Sequence, residues 1–163
     1  MIKQSTNIQY KGNKAAGAVI YSIDTNKFLL GKRGATSDNP NVWCCFGGGV
    51  EAGESPEGAL KRELWEETGF NSNIKLIKLG NDIQGTFEYI TYIGFVAKEF
   101  IPILNAENSD YQWFEQSEML PKNSHPKFES FWKLNSTRIL INELVDRQNY
   151  FYNQSLKSKK FLL

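Results

Sequence analysis

Residues 55–69 constrain this chain more than any other stretch. Ser55 supplies an N-cap hydroxyl, Pro56 a preset φ at the first helical position, Glu57 a negative charge at the helix N-terminus, and Gly69 a left-handed stop. A helix is predicted from the Ser55 cap to the Gly69 cap. Strand-forming runs stand on both sides of it. Residues 15–23, with Val19 and Ile20 at their heart, read as a buried strand. Asp24, Thr25 and Asn26 supply a turn before a second run at residues 28–31, which predicts a hairpin. Residues 34–41 form a loop by composition, residues 42–46 restart strand character, and Gly47, Gly48 and Gly49 follow, by composition a turn. Beyond the helix, residues 74–79, 87–90, 92–97 and 111–114 are β-rich. Leu140, Ile141, Leu144 and Val145 suit an amphipathic helix over residues 136–152, with a basic tail at 156–160 that is expected to fray. This order predicts an α/β sandwich with a mixed sheet.

A length of 163 residues, 40% of them apolar and 23% charged, fits one globular domain spanning 1–163 and excludes a largely disordered chain. The longest apolar run, residues 15–21, is far short of the roughly eighteen residues that a membrane-spanning helix needs. Residues 1–14 are polar and lack the apolar core of a secretory signal, so the expected compartment is cytoplasmic. Cys44 and Cys45 are adjacent and read as two free thiols. With His125 they are too few for a zinc site. A formal charge of +1 argues against strong nucleic-acid binding by the whole chain. That balance conceals two opposed regions. Residues 51–67 hold six glutamates against Lys61 and Arg62, whereas residues 147–163 hold four basic residues and no acid.

On a 3.6-residue period, Glu63, Glu66 and Glu67 lie on one face of the predicted helix, next to the apolar Leu60 and Leu64. Three carboxylates so close, with no lysine spaced to relieve them, are costly unless a cation joins them. Hard oxygen donors suit Mg²⁺ or a similar divalent ion, and such a site commonly takes phosphate as co-ligand. A solvated acidic helix face is the plainer alternative. The glycines before the helix let a backbone approach a ligand closely.

Read together, Gly48, Glu54, Arg62, Glu63, Leu64, Glu66, Glu67, Gly69 and Phe70 resemble the Nudix box at all nine defined positions within 23 residues. The resemblance covers residues 15–131. It implies a Nudix-type α/β/α sandwich with a mixed β-sheet, and hydrolysis of a nucleoside diphosphate derivative by water attack at phosphorus. It also implies that Glu63, Glu66 and Glu67 bind the metal, that the Gly47 carbonyl adds to its coordination, and that Arg62 holds Glu54 or a helix carboxylate. Glu107, six residues before Trp113, resembles the extra acid of the family's late loop, a further ligand or the base. Glu63 is the other candidate base.

Substrate-binding candidates are Arg33, which could meet a phosphate, Gly48, and the aromatics Phe87 and Tyr89, which could stack on a base or simply pave the sheet. His125 reads as a loop residue. The proline that ADP-ribose hydrolases carry some fifteen residues after the box is replaced by the neighbourhood of Gln84 and Gly85. The expectation is therefore a small-molecule nucleotide substrate, leaning toward nucleoside triphosphates or nucleotide sugars. A non-catalytic nucleotide-binding domain and an enzyme acting on RNA 5′ ends are the alternatives, and a homodimer is left open.

Overall fold

A computed structural model describes residues 12–160. Among them, the elements run β1 (Lys14–Ser22), β2 (Lys27–Arg33), β3 (Trp43–Cys44), β4 (Phe46–Gly49), α1 (Pro56–Thr68), β5 (Lys75–Gln84), β6 (Phe87–Val96) and β7 (Asn108–Glu115). A short 3-10 turn (Gln116–Glu118), α2 (Pro126–Lys133) and α3 (Asn135–Lys160) complete the order. Of the N-terminal segment expected to lack an export signal, all but its last three residues lie outside the described residues. No described helix is long and apolar enough to cross a membrane.

The sheet is mixed, in the order β3-β2-β1-β6-β5 with β4 on β1 and β7 on β2. β1 and β6 are parallel along their whole pairing, from Lys14 opposite Glu88 to Ser22 opposite Val96. The other pairs are antiparallel. Because β6 takes one full edge of β1, the other edge is shared: β4 runs beside Ala15–Ala18 and β2 beside Ile20–Ser22.

Side-chain alternation along β1 makes it the middle of a sandwich. Val19 and Tyr21 pack on one face with Phe128, Trp132, Ile141 and Val145 from α2 and α3. Ala16, Ala18 and Ile20 pack on the other with Leu60 and Leu64 from α1. The α/β/α architecture follows from both faces of one strand being buried.

α1 begins and ends as its sequence predicts. The Ser55 hydroxyl accepts from the Gly58 N–H at 3.0 Å, and Gly69, with φ at 69°, closes the helix by donating to the Trp65 carbonyl. Elsewhere the structure differs from expectation. Residues 87–97 contain one strand and not two, since Thr91 continues the ladder between Gly17 and Gly80. The glycine triplet is strand, paired to the first half of β1, and Gly47 there has φ of 147° with no room for a side chain, since a Cβ would fall 2.1 Å from the Ala16 carbonyl oxygen. α2 was not predicted, although Pro126 at its start and Phe128 and Trp132 four residues apart are its signals. α3 continues through the expected frayed tail to Lys160, because no Gly or Pro follows Pro126 to stop it.

Candidate active site

β4, α1 and the start of β7 meet at one place. Gly48 faces α1 so closely that a Cβ on it would lie 2.5 Å from the Glu63 carboxyl carbon. Next to it, the Gly47 N–H donates to Glu67 Oε2 at 2.8 Å, and Asn108 Nδ2 donates to Glu67 Oε1 at 2.9 Å. Glu67 is buried, at 5% exposure, where Leu60 and Leu64 turn α1 toward the core.

Arg62 fastens the acidic face. Its Nε and Nη2 reach the two oxygens of Glu54, each at 3.1 Å, Nη2 donates to the Gly49 carbonyl at 2.9 Å, and Nη1 donates to Glu63 at 2.7 Å and Glu66 at 3.3 Å. One guanidinium thus ties the loop before α1 to the helix itself, and Glu54 is held below its ordinary carboxylate range by that hydrogen bonding. The carboxylates are not equivalent. Glu66 is the more exposed, Glu63 is half-buried and Glu67 is enclosed. Burial raises the Glu63 carboxyl despite Arg62 beside it, and raises Glu67 to about 8 despite its two N–H donors. The charge of Glu107 pushes both in the same direction, which places that loop acid within the field of the pair.

Glu107 is exposed on a loop that is itself held. Its N–H is capped by Asn105 Oδ1 at 3.0 Å and its carbonyl accepts from the Gly34 N–H at 2.7 Å. Among the described residues no three acidic, His or Cys side chains already converge on a common point, because Arg62 draws Glu63 and Glu66 while Gly47 and Asn108 engage Glu67. The donor chemistry nevertheless fits a hard divalent cation. All the donors are oxygens, two of the carboxylates are desolvated, and Arg62 is the cation that the helix face offers them.

The other candidates are spread around this centre. Arg33 pairs with Asp38, its Nε is buried without a hydrogen-bond partner, and in the β2–β7 register it stands opposite Asn108. Tyr89 lies over the bare Gly17 with its hydroxyl 3.4 Å from Cys45 Sγ, and the charge of Glu67 is felt there. Phe87 opens β6 opposite Gln84. His125 is no simple loop residue: it caps α2, its Nδ1 accepting from the Lys127 N–H. Cys44 and Cys45 are free thiols. Sequence reasoning missed Asn108, Gly34 and the Gly49 carbonyl. Only Asn105, two residues before Glu107, carried a readable signal, that of an Asx turn. Two concavities of about 210 Å³ lie elsewhere, one beside Trp65 and Asn73 and one beside Trp132 and Arg138.

A mixed sheet between helices, carrying an arginine-fastened acidic loop and helix on one face, defines a Nudix-type hydrolase. The NUDIX domain profile matches residues 12–133, and the chain belongs to that family. Nudix enzymes are diphosphohydrolases that act on nucleotide derivatives. The dihydroneopterin triphosphate diphosphatase of Haemophilus influenzae is 31% identical over 126 residues, covering 65% of this chain and 76% of that protein. The RNA pyrophosphohydrolase of Bartonella bacilliformis is 28% identical over 155 residues, covering 85% and 86%. The structure of the E. coli dihydroneopterin triphosphate pyrophosphohydrolase shares the fold, with a TM-score of 0.60 at 22% identity over 85% of this chain and 98% of that one.

Proposed function

We propose that the protein is a pyrophosphohydrolase of a small triphosphorylated substrate, a nucleoside triphosphate or a pterin relative of one, and that it works with Mg²⁺ or Mn²⁺. The observation that carries this reading is the enclosed Glu67, hydrogen-bonded on both oxygens, beside the half-buried Glu63 and within the field of Glu107. Such a set of acids has little use for a neutral ligand. A bound divalent cation would supply charge neutralisation and Lewis acidity to the diphosphate.

Glu63, Glu66, Glu67 and the Gly47 carbonyl are the groups that would hold the cation, with Glu107 joining from its loop. Glu63 or Glu107 orients the attacking water and takes its proton, and burial, by raising the Glu63 carboxyl, makes it a better proton acceptor than an ordinary carboxylate. Arg62 keeps Glu54 and Glu63 from swinging away as charge moves toward the leaving group. Arg33, Phe87 and Tyr89 are assigned to the substrate's phosphates and ring. The two curated relatives described above are named for releasing diphosphate or pyrophosphate, one from a pterin triphosphate and one from RNA. The whole chain acts as one domain, in the cytoplasm.

The test is a panel of nucleoside triphosphates, dihydroneopterin triphosphate, nucleotide sugars, dinucleoside polyphosphates and 5′-triphosphorylated RNA, run with Mg²⁺ or Mn²⁺ in ¹⁸O-labelled water. Release of pyrophosphate from small triphosphates, with label in a product phosphate, is the expected outcome. Faster turnover of the RNA would move the protein to the RNA 5′-end reading. Tight binding without turnover of any compound would make it a binding domain.

A further inference from the structure

Glu67 accepts a hydrogen bond on each oxygen, and the two donors differ in kind. The Gly47 N–H belongs to the main chain of β4, whereas Nδ2 of Asn108 arrives on a side chain from β7, 41 residues along the sequence. Asn108 opens β7 where the ladder with β2 shifts register, between Lys32 and Arg33. Its carboxamide is wedged in place. A Cβ on Gly31 would lie 2.8 Å from Asn108 Oδ1 and 2.7 Å from the Phe46 ring, so the carboxamide and that ring share the space left by a missing side chain. The amide nitrogen is thereby directed at the carboxylate, the only orientation a carboxylate can accept. The preceding residue is Glu107, whose backbone is fixed by Asn105 and Gly34.

We propose that Asn108 is a positioning residue for the hydrolysis: its carboxamide fixes the direction in which Glu67 presents its remaining lone pairs, and the bare Gly31 leaves room for it beside the Phe46 ring. The inference rests on Glu67 belonging to the working site. Arg62 performs the corresponding task for Glu63 and Glu66, and its hydrogen bonds do not extend to Glu67. Asn108 reaches Glu67 from the opposite strand, and it links the placement of Glu67 to the loop that carries Glu107.

Asn108→Leu removes the donor while keeping the same branched heavy-atom skeleton, and Asn108→His returns an N–H at about the same distance from Cβ. Steady-state kinetics on the pyrophosphate-releasing substrate, Mn²⁺ binding followed by the resonance of free Mn²⁺, and thermal unfolding are measured on each. Asn108→Leu should lower kcat about 10–100-fold and weaken Mn²⁺ binding by about tenfold. Substrate KM should stay within about twofold, since the group removed does not touch substrate. Asn108→His should recover most of both losses, and Asn108→Ser carries the same expectation as Leu if the leucine variant unfolds early. In a Glu67→Gln background, Asn108→Leu should cost nothing further, because Asn108 acts through Glu67. Unchanged kcat and Mn²⁺ binding in a natively folded Asn108→Leu protein would overturn the proposal while leaving the site intact. Full additivity with Glu67→Gln would also overturn it. Wild-type turnover by Glu67→Gln alone would instead remove the reading on which it rests.

Discussion

Residue identity sets the chemistry here, and the glutamates of α1 show how position divides their labour. Glu63→Gln should reduce kcat roughly 10²–10⁴-fold if the proposed role holds, with little change in thermal stability, since glutamine keeps the side chain's shape beside Gly48 and can still accept from Arg62. Glu67 should leave a signature in stability as well. Its folded carboxyl titrates near 8, far above the ordinary value of 4.5, because burial disfavours its charge. Below about pH 4.5 both folded and unfolded chains hold this proton. As pH rises toward 8 the unfolded chain releases it freely and the folded chain resists, so the cation-free fold loses stability across that window, on the order of a few kcal/mol. Thermal unfolding in chelator from pH 5 to 9 should therefore fall more steeply for the wild type than for Glu67→Gln, and divalent cations should restore the loss at the alkaline end. Parallel curves would contradict the assignment. The grouping of Glu63, Glu66 and Glu67 was legible in the sequence because a helix turns spacing directly into a shared face, and the hold of Arg62 on Glu54 came from the resemblance to the family's motif. Asn108 was not, because its meeting with Glu67 depends on strand register, which no local spacing encodes.

At the scale of elements, the loop and helix carry the site as a stiff unit. Ser55→Ala removes the hydroxyl that caps Gly58 and should cost about 1 kcal/mol of stability. Gly69→Ala forces a side chain into the left-handed region against Ile103 and should cost roughly 1–2 kcal/mol. Gly48→Ala separates activity from stability. The new Cβ meets only the flexible end of Glu63, so the melting temperature should move little while kcat falls with the displaced carboxylate. α1 was readable to the residue because both of its ends are punctuated. β4 was not, because a glycine triplet has no strand propensity of its own, and only the unpaired half of β1 recruits it into the sheet.

Across the whole molecule, β1 is the strand on which both layers depend. Ile20→Ala, wholly buried against the α1 side, should cost roughly 2–5 kcal/mol and lower activity only through loss of folded protein. Rate per folded molecule, measured against the unfolded fraction, checks this. The α/β sandwich with a mixed sheet was legible from the order of runs, and its α/β/α layering from the family resemblance. The forked edge of β1 was not, since sharing one edge between two partners leaves no mark in composition. Synthesis of the chain gives that topology a temporal meaning. Glu67 meets its second donor only after residue 108 has been made, and β1 waits for β6 before its parallel edge is closed. A ribosome-bound fragment ending at Phe70 therefore carries the complete nine-position signature without the clamp around its enclosed acid. The enclosure of Glu67 is therefore a product of the finished sheet, unlike a small zinc domain whose metal directs the chain into shape.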